Sequence, residues 1–197
     1  MFKKIYDILL SSSLIILLLP FFIFLYLIII IKLGKPGFFL HERIGKNKKK
    51  FKVIKFKSLK NEKNKQGHLL EISERITPFG QLIRKYSMDE LPQLFNVIKM
   101  DMSIVGPRPL EPSYVNLYSK VQIKRHDVMP GITGLAQIYG RNNITWKKKF
   151  QYDIYYVKKK NLCLDLIIIF KTFFNVLFPK GVSEDNHFNK PPFNGKN

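Results

Sequence analysis

Asp89 and Glu90 are adjacent carboxylates in a chain dominated by lysine. The apolar residues that follow recur at helical spacing, which predicts an amphipathic helix over about residues 89–99. Ser87 with Glu90 matches a capping box, whereas Asp89 as the N-cap puts Pro92 in the first turn, where no donor is needed; we prefer the second register. Both registers put the pair at the positive end of the helix dipole, which favours ionised carboxylates. Such a carboxylate can act as a nucleophile or hold a cation; the alternative is that the pair simply caps a helix.

Arg108 lies between Pro107 and Pro109, and the two prolines restrict the directions that its side chain can take. A stiffly held guanidinium suits bidentate recognition of phosphate, although the segment could also be an ordinary proline turn with a surface arginine. Glycines punctuate residues 130–134 and 140–142. They allow backbone N–H groups to approach a ligand closely, or they form plain turns.

Four further segments have the features of elements that could position these side chains. Residues 51–57 alternate aromatic, β-branched and lysine residues, which predicts a short strand beside a basic surface. Residues 77–86 begin with Thr-Pro and predict a helix that brings Arg84 beside Asp89. Residues 113–124 are also predicted to be helical. A polar stretch between the first two segments predicts a loop.

Thr145 is the predicted N-cap of a helix with an apolar face formed by Trp146, Phe150, Ile154 and Val157. Asp153 lies beside that face and is a candidate salt-bridge partner for a basic site residue. Residues 162–178 are strongly apolar but are interrupted by Asp165 and Lys171, which predicts an interfacial or core-packing helix. The tail from residue 180 has no periodicity and is predicted to be disordered.

Residues 8–31 carry no charge, and as a helix they would be about 36 Å long, enough to cross a bilayer core of about 30 Å. The run is too long for a cleaved signal peptide, and no small-residue cleavage site follows it. Pro20 would kink the helix, and basic residues on both flanks favour a cytoplasmic position for both ends. A single span and a re-entrant hairpin therefore both remain open.

The formal net charge of +20 implies an anionic partner, which could be nucleic acid, anionic lipid or a phosphorylated substrate. The single cysteine, Cys163, excludes an internal disulfide and a cysteine-based zinc site. A nucleic-acid-binding protein would not explain the apolar segment, so we expect no nucleic-acid partner. A non-catalytic membrane scaffold would explain that segment but not the ordered series of motifs.

The chain resembles the monotopic phosphoglycosyl transferases, the bacterial sugar transferase family that starts membrane glycan assembly. The match runs in order from about residue 1 to residue 178. The motifs that carry it lie at residues 3–7, 34–39, 42–45, 51–58, 87–94, 101–110 and 125–137.

The resemblance implies an α+β fold that is mainly α with short β elements. It implies a re-entrant membrane helix over residues 1–33, a small cytoplasmic catalytic domain with amphipathic interfacial helices over residues 34–178, and a disordered tail over residues 179–197. The location implied is the inner membrane of a bacterium, with the catalytic domain on the cytoplasmic face. Leu19 stands where the family has a serine before the helix-breaking proline, and Lys57 stands where arginine is more usual.

The resemblance also implies the chemistry, which is transfer of a sugar 1-phosphate from a UDP-sugar to polyprenyl phosphate with release of UMP. Asp89 would attack the β-phosphorus and form a covalent aspartyl-phosphosugar intermediate. Glu90 would aid metal binding or orientation, and both carboxylates would be ligands of Mg²⁺. The product would enter a glycan pathway, so association with downstream glycosyltransferases is a further expectation. Basic positions that would contact phosphate or support the dyad are Lys55, Arg84, Arg108 and Arg141, and supporting positions are Pro107, Pro109, Asp153 and Asp165.

Overall fold

The computed structural model of the protein describes residues 2–140, 144–179 and 191–197. Most of its regular structure is helical and the strands are short, as the sequence predicts. The helices are α1 (Phe2–Leu33), α2 (Ile72–Arg75), α3 (Pro78–Lys85), α4 (Gln93–Ile98), α5 (Leu135–Gly140), α6 (Trp146–Lys159) and α7 (Leu162–Leu177). The strands are β1 (Phe38–Ile44), β2 (Lys50–Phe56), β3 (Ser103–Val105) and β4 (Gly131–Thr133).

Helix α1 runs without interruption through Pro20, and it is long and apolar enough to cross a membrane. One face packs on the rest of the protein, while the opposite face exposes large apolar side chains such as Ile16, Phe24 and Ile31. The buried residues on the packed face are Asp7, Ser11, Phe22, Leu25, Ile29 and Leu33. The apolar outer face agrees with association of this helix with a membrane.

Strands β1 and β2 form an antiparallel hairpin that confirms the strand predicted over residues 51–57. The buried side chain of Asn96, on α4, ties this hairpin to the rest of the core. Its Oδ1 accepts from the backbone N–H of Ile54 at 2.9 Å, and its Nδ2 donates to the carbonyl of Lys52 at 2.8 Å. These two bonds fix β2 relative to α4.

Strands β3 and β4 are parallel, with Ser103 opposite Gly131 and Val105 opposite Thr133. The segment predicted as a glycine-punctuated loop therefore contains a short strand. Gly106 and Gly131 lie so close that a side chain at either position would collide with the backbone of the other. This close approach sets the direction in which the chain leaves β3.

Two predicted helix starts are confirmed. The Thr77 hydroxyl accepts from the backbone N–H of Gly80 at 3.1 Å at the start of α3, and Thr145 caps α6 in the same way through Lys148. Both caps are local, so they form from sequence alone. The apolar face predicted for α6 packs inward, with Trp146 buried.

The prediction of a helix over residues 113–124 is wrong. Two 3₁₀ turns, Pro112–Leu117 and Gln122–Asp127, stand in its place. Ser119 and Gln122 explain the break, because the side chain of each accepts a hydrogen bond from the backbone N–H of the other. This reciprocal cap starts a new turn and ends the first one.

The predicted disorder of the tail does not hold for residues 191–197. Phe193 is only 3% exposed and packs in an aromatic cluster. Its ring neighbours in the cluster are Tyr114, Tyr118, Trp146 and Phe150. A single buried aromatic residue leaves no periodic signal, which is why the sequence does not reveal this contact.

Helix α7 is confirmed over most of residues 162–178. Ile168 and Asp165 are buried, whereas Phe170 and Phe173 on the other side are well exposed. The helix therefore packs on the core along one face and presents an apolar outer face.

Candidate active site

Five of the predicted site residues surround one cavity of about 400 Å³. Lys55 comes from β2, Arg84 from the last turn of α3, Asp89 and Glu90 from the turn before α4, and Arg108 from the segment after β3. The fourth predicted basic residue, Arg141, lies outside the described residues. Residues from β4, α5, α6 and α7 complete the wall.

Asp89 and Glu90 lie in a 3₁₀ turn, Met88–Glu90, and not in the first turn of an α-helix. Helix α4 begins at Gln93 directly after Pro92, so the proline does precede the helix, but the prediction of Asp89 as its N-cap is wrong. Ser87 makes no side-chain cap and has a φ of 54°, so the capping box is also absent. The turn is closed by backbone bonds from Glu90 N–H to the Ser87 carbonyl at 3.1 Å and from Leu91 N–H to the Met88 carbonyl at 3.3 Å, and ion pairs hold the Glu90 side chain.

Glu90 is held by two basic residues. The guanidinium of Arg108 donates through Nη2 to Oε1 at 2.6 Å and through Nη1 to Oε2 at 3.2 Å. Lys55 Nζ donates to Oε1 at 2.7 Å. Burial alone would raise the pKa of Glu90, but the charges of Arg108 and Lys55 outweigh it and hold that pKa well below its usual range. Glu90 is therefore a fixed anion.

Asp89 has a different environment, although it is the next residue. It is 8% exposed, and Lys55 Nζ lies 3.8 Å from its Oδ2. Burial raises the pKa of Asp89 above its usual range against the opposing charge of Lys55, and the neighbouring Glu90 raises it further. The dipole argument treated both carboxylates alike, whereas their surroundings shift the two pKa values in opposite directions. A carboxylate that is poorly compensated in a cavity is a candidate nucleophile.

The backbone of Arg108 is fixed from behind by an ion pair that sequence reasoning did not find. Arg125 donates to the Arg108 carbonyl at 2.6 Å and to Asp153 Oδ2 at 3.0 and 2.9 Å. Both side chains of the Arg125–Asp153 pair are at most 2% exposed. Pro107 adds to this support, because its carbonyl accepts from the N–H of Gly131 at 3.0 Å. The sequence predicts that Asp153 pairs with a basic site residue. Its partner is instead Arg125, which contacts the site through the carbonyl of Arg108.

Pro109 is buried beside Arg108, as expected for a stiff segment. Asp165 does not line the cavity. It accepts from Lys3 Nζ at 2.6 Å and from the Tyr156 hydroxyl at 2.7 Å, and so it joins α1, α6 and α7. A buried acid on an otherwise apolar helix signals that a cation must lie opposite, but the sequence does not say which one.

The carboxylates of Asp89 and Glu90 are oxygen ligands of the kind that Mg²⁺ prefers. Within the part of the chain that the structure describes, there is no cluster of three or more histidine, cysteine, aspartate or glutamate residues that could hold a metal. Mg²⁺ commonly binds through one or two carboxylates together with substrate phosphates. The dyad fits that mode, with Asp89 as the ligand whose oxygens are not engaged by the Arg108 fork.

Residues 1–179 match the family described as bacterial sugar transferase, and the chain belongs to that family. The protein is therefore a transferase enzyme. An "Uncharacterized sugar transferase EpsL" from Bacillus subtilis is 44% identical to it over 195 residues, which cover 98% of this chain and 96% of that protein.

Two longer relatives have names that state a reaction. The undecaprenyl-phosphate galactose phosphotransferase of Salmonella typhimurium is 36% identical over 189 residues, or 86% of this chain and 39% of that protein. The UDP-N-acetylgalactosamine-undecaprenyl-phosphate N-acetylgalactosaminephosphotransferase of Aeromonas hydrophila is 38% identical over 161 residues, or 76% of this chain and 38% of that protein.

Proposed function

We propose that the protein transfers a sugar 1-phosphate from a UDP-sugar to polyprenyl (undecaprenyl) phosphate and releases UMP. This reaction would be the first membrane step of a glycan pathway. The observation that carries the proposal is the pairing of a buried, poorly compensated Asp89 with a neutralised Glu90 in a cavity rich in cations. The names of the Salmonella and Aeromonas relatives support the acceptor class, and the Aeromonas name also supports a UDP-sugar donor.

In the first step, an Asp89 carboxylate oxygen attacks the β-phosphorus of the donor. A phosphorus–oxygen bond forms, the bond to the bridging oxygen breaks, and UMP leaves with that electron pair. Lys55, Arg84 and Arg108 surround the position where the diphosphate would lie and stabilise its negative charge. Mg²⁺, when bound at the dyad, would screen the charge between carboxylate and diphosphate.

In the second step, a phosphate oxygen of the polyprenyl phosphate attacks the phosphorus of the aspartyl-phosphosugar. The new diphosphate bond forms, and Asp89 leaves as a free carboxylate. Glu90 stays ionised in both steps because Arg108 and Lys55 hold it, so it orients these two cations. Lys55 lies near both carboxylates. Its ammonium can therefore move towards Asp89 when that carboxylate is free and towards Glu90 when Asp89 carries the phosphosugar.

The membrane arrangement that we propose is a re-entrant α1 with both ends on the cytoplasmic face. Two contacts support it, because both ends of α1 are tied to the same domain. Lys3 pairs with Asp165 near the N-terminus, and Lys57 Nζ donates to the carbonyls of Leu33 and Gly34 at 2.8 and 3.0 Å at the other end. Because one domain holds both ends of α1, a helix that crossed the bilayer would require parts of that domain to lie on both sides of the membrane.

A lipid acceptor also fits the position of α7. Thr172, Asn175 and Val176 line the cavity, while Phe170 and Phe173 on the same helix form part of its exposed apolar face. A polyprenyl chain lying along that face in the interface would bring its phosphate to the cavity.

The test is release of UMP by detergent-solubilised protein from a panel of UDP-sugars, with polyprenyl phosphate and Mg²⁺. We expect release with at least one donor, loss of release on removal of Mg²⁺, and loss in the Asp89→Asn variant. Full activity in Asp89→Asn would contradict the proposed nucleophile, and no release with any UDP-sugar would contradict the donor class.

A further inference from the structure

Lys149 is a cation in the wall of the same cavity, and neither the motifs nor the reaction steps above give it a role. It lies on α6 and is only 8% exposed, whereas its neighbours Lys147 and Lys148 are exposed. A buried ammonium is unfavourable unless a compensating group lies close to it. A lysine that reaches a cavity from a buried position is therefore placed there by specific contacts.

The face of Trp146 provides one such contact, because the Lys149 ammonium lies 4.1 Å from the centroid of its ring. Cation–π contacts at this distance are favourable, and more so when they are shielded from water. The ring limits the ammonium on one side, the charge of Asp153 interacts with it, and Lys149 also lines the cavity. The lysine is thus oriented before any substrate binds.

The C-terminal residues fix the tryptophan in turn. The indole N–H of Trp146 donates to the carbonyl of Pro191 at 3.0 Å, and the ring packs against Phe193 with centroids 5.6 Å apart. Phe150 stacks on it at 5.9 Å. The short segment of residues 191–197 therefore supports the position of Lys149 through one aromatic ring.

The charges that line the cavity also favour an additional phosphate contact. Four basic residues, Lys55, Arg84, Arg108 and Lys149, face two carboxylates, Asp89 and Glu90, which leaves a formal charge of +2. The diphosphate of a nucleotide sugar carries two negative charges. Because Lys55 and Arg108 direct donors to Glu90, the two charges of a diphosphate would be better balanced by a second cation in addition to Arg84.

We propose that Lys149 binds the diphosphate of the nucleotide-sugar donor, and that Trp146 and the C-terminal segment position it for this contact. The inference rests on the proposed function for the identity of the donor. It assigns to the donor site a residue of α6, and it gives the docked C-terminal residues a part in substrate binding.

The experiment measures the dissociation constant for UDP, used as the probe, and the donor KM for UMP release. Lys149→Gln is compared with Lys147→Gln, a matched loss of charge at an exposed position on the same helix. We expect UDP binding to weaken about 10- to 100-fold in Lys149→Gln, the size expected for one hydrogen bond to a charged group, and to stay unchanged in Lys147→Gln.

A third variant, Lys149→Arg, separates charge from packing. It retains the positive charge, so we expect its affinity for UDP to lie closer to wild type than to Lys149→Gln. Equal affinities in Lys149→Gln and Lys147→Gln, or equal losses in Lys149→Gln and Lys149→Arg, would overturn the inference. Wild-type protein that binds UDP but releases no UMP would instead overturn the proposed function, and the UDP affinities would still test Lys149.

Discussion

At the scale of single residues, the main feature is that two adjacent carboxylates are treated differently by their surroundings. The negative charge of Glu90 is balanced by the forked guanidinium of Arg108 and by Lys55, whereas the buried charge of Asp89 has a longer ion pair with Lys55. This difference separates the two roles that an acidic pair could share. Glu90 organises the cations, and Asp89 remains available to react.

The difference predicts opposite effects on stability. Burial raises the pKa of Asp89 in the folded state, so above that pKa its ionisation lowers the free energy of unfolding. Asp89→Asn should therefore raise the melting temperature while it abolishes UMP release. Glu90→Gln should lower the free energy of unfolding by about 1.5–3 kcal/mol, because it removes the anion that holds Arg108 and Lys55. Thermal unfolding of both variants checks this, and a destabilised Asp89→Asn would contradict it.

The same pKa shift predicts the pH dependence of the reaction. Asp89 must be ionised to attack, and burial raises its pKa above the ordinary value of 3.8. As pH falls, kcat/KM for UMP release should therefore decline at a pH higher than an ordinary aspartate would give. The pKa of Glu90 lies on the opposite side of its usual range, so it does not contribute to this decline. An acid limb at or below pH 3.8 would contradict the burial of Asp89 as the cause.

At the scale of elements, the segment that carries Arg108 is held by two short strands and by a buried ion pair. The parallel β3 and β4 meet through two glycines, and Arg125 bridges the Arg108 carbonyl to Asp153 on α6. A rigid support of this kind keeps the guanidinium in place while charge moves in the site.

Loss of that support is expected in Asp153→Asn. The substitution leaves the Arg125 charge buried without its counter-ion, so the free energy of unfolding should fall by about 3–5 kcal/mol. UMP release should fall as well, because the carbonyl of Arg108 loses a well-placed donor. Asp127→Asn, at an exposed position, is the matched control and should leave both properties unchanged. A wild-type unfolding curve for Asp153→Asn in denaturant would contradict the role of the pair.

The elements also indicate which features can be predicted from the sequence. The starts of α3 and α6 follow from Thr77 and Thr145, whose caps involve residues only three positions away. The position of the Glu90 side chain cannot be predicted in this way, because it depends on Arg108 and Lys55, which lie in other elements. The grouping of basic residues around the cavity was anticipated by resemblance, but the link from Arg125 to the site needs three-dimensional contacts.

At the scale of the whole molecule, α1 and α7 both pack on the core along one face and expose large apolar side chains on the other. The two ends of α1 are joined to the same domain by lysines. Lys3 of α1 pairs with Asp165, and Lys57 of the domain donates to the Leu33 carbonyl of α1. Helix α7 also lines part of the cavity, an arrangement that would suit the lipid-linked acceptor that we propose.

The proposed re-entrant topology can be tested by cysteine labelling. In a Cys163→Ser background, Lys4→Cys places a single thiol before the apolar segment, and Lys35→Cys places a single thiol after it. We expect a membrane-impermeant maleimide to label both from the cytoplasmic side and neither from the opposite side. Labelling of only the Lys4→Cys variant from the opposite side would instead establish a single span.

The most direct test of the account is to locate the sugar phosphate on the protein. Wild-type enzyme is incubated with an accepted UDP-sugar and Mg²⁺ without polyprenyl phosphate, and its peptides are analysed by mass spectrometry. Attack by Asp89 predicts one mole of UMP for each mole of adduct, with the phosphosugar on Asp89. The adduct should be lost when polyprenyl phosphate is added. Turnover with the phosphosugar on another residue would contradict it.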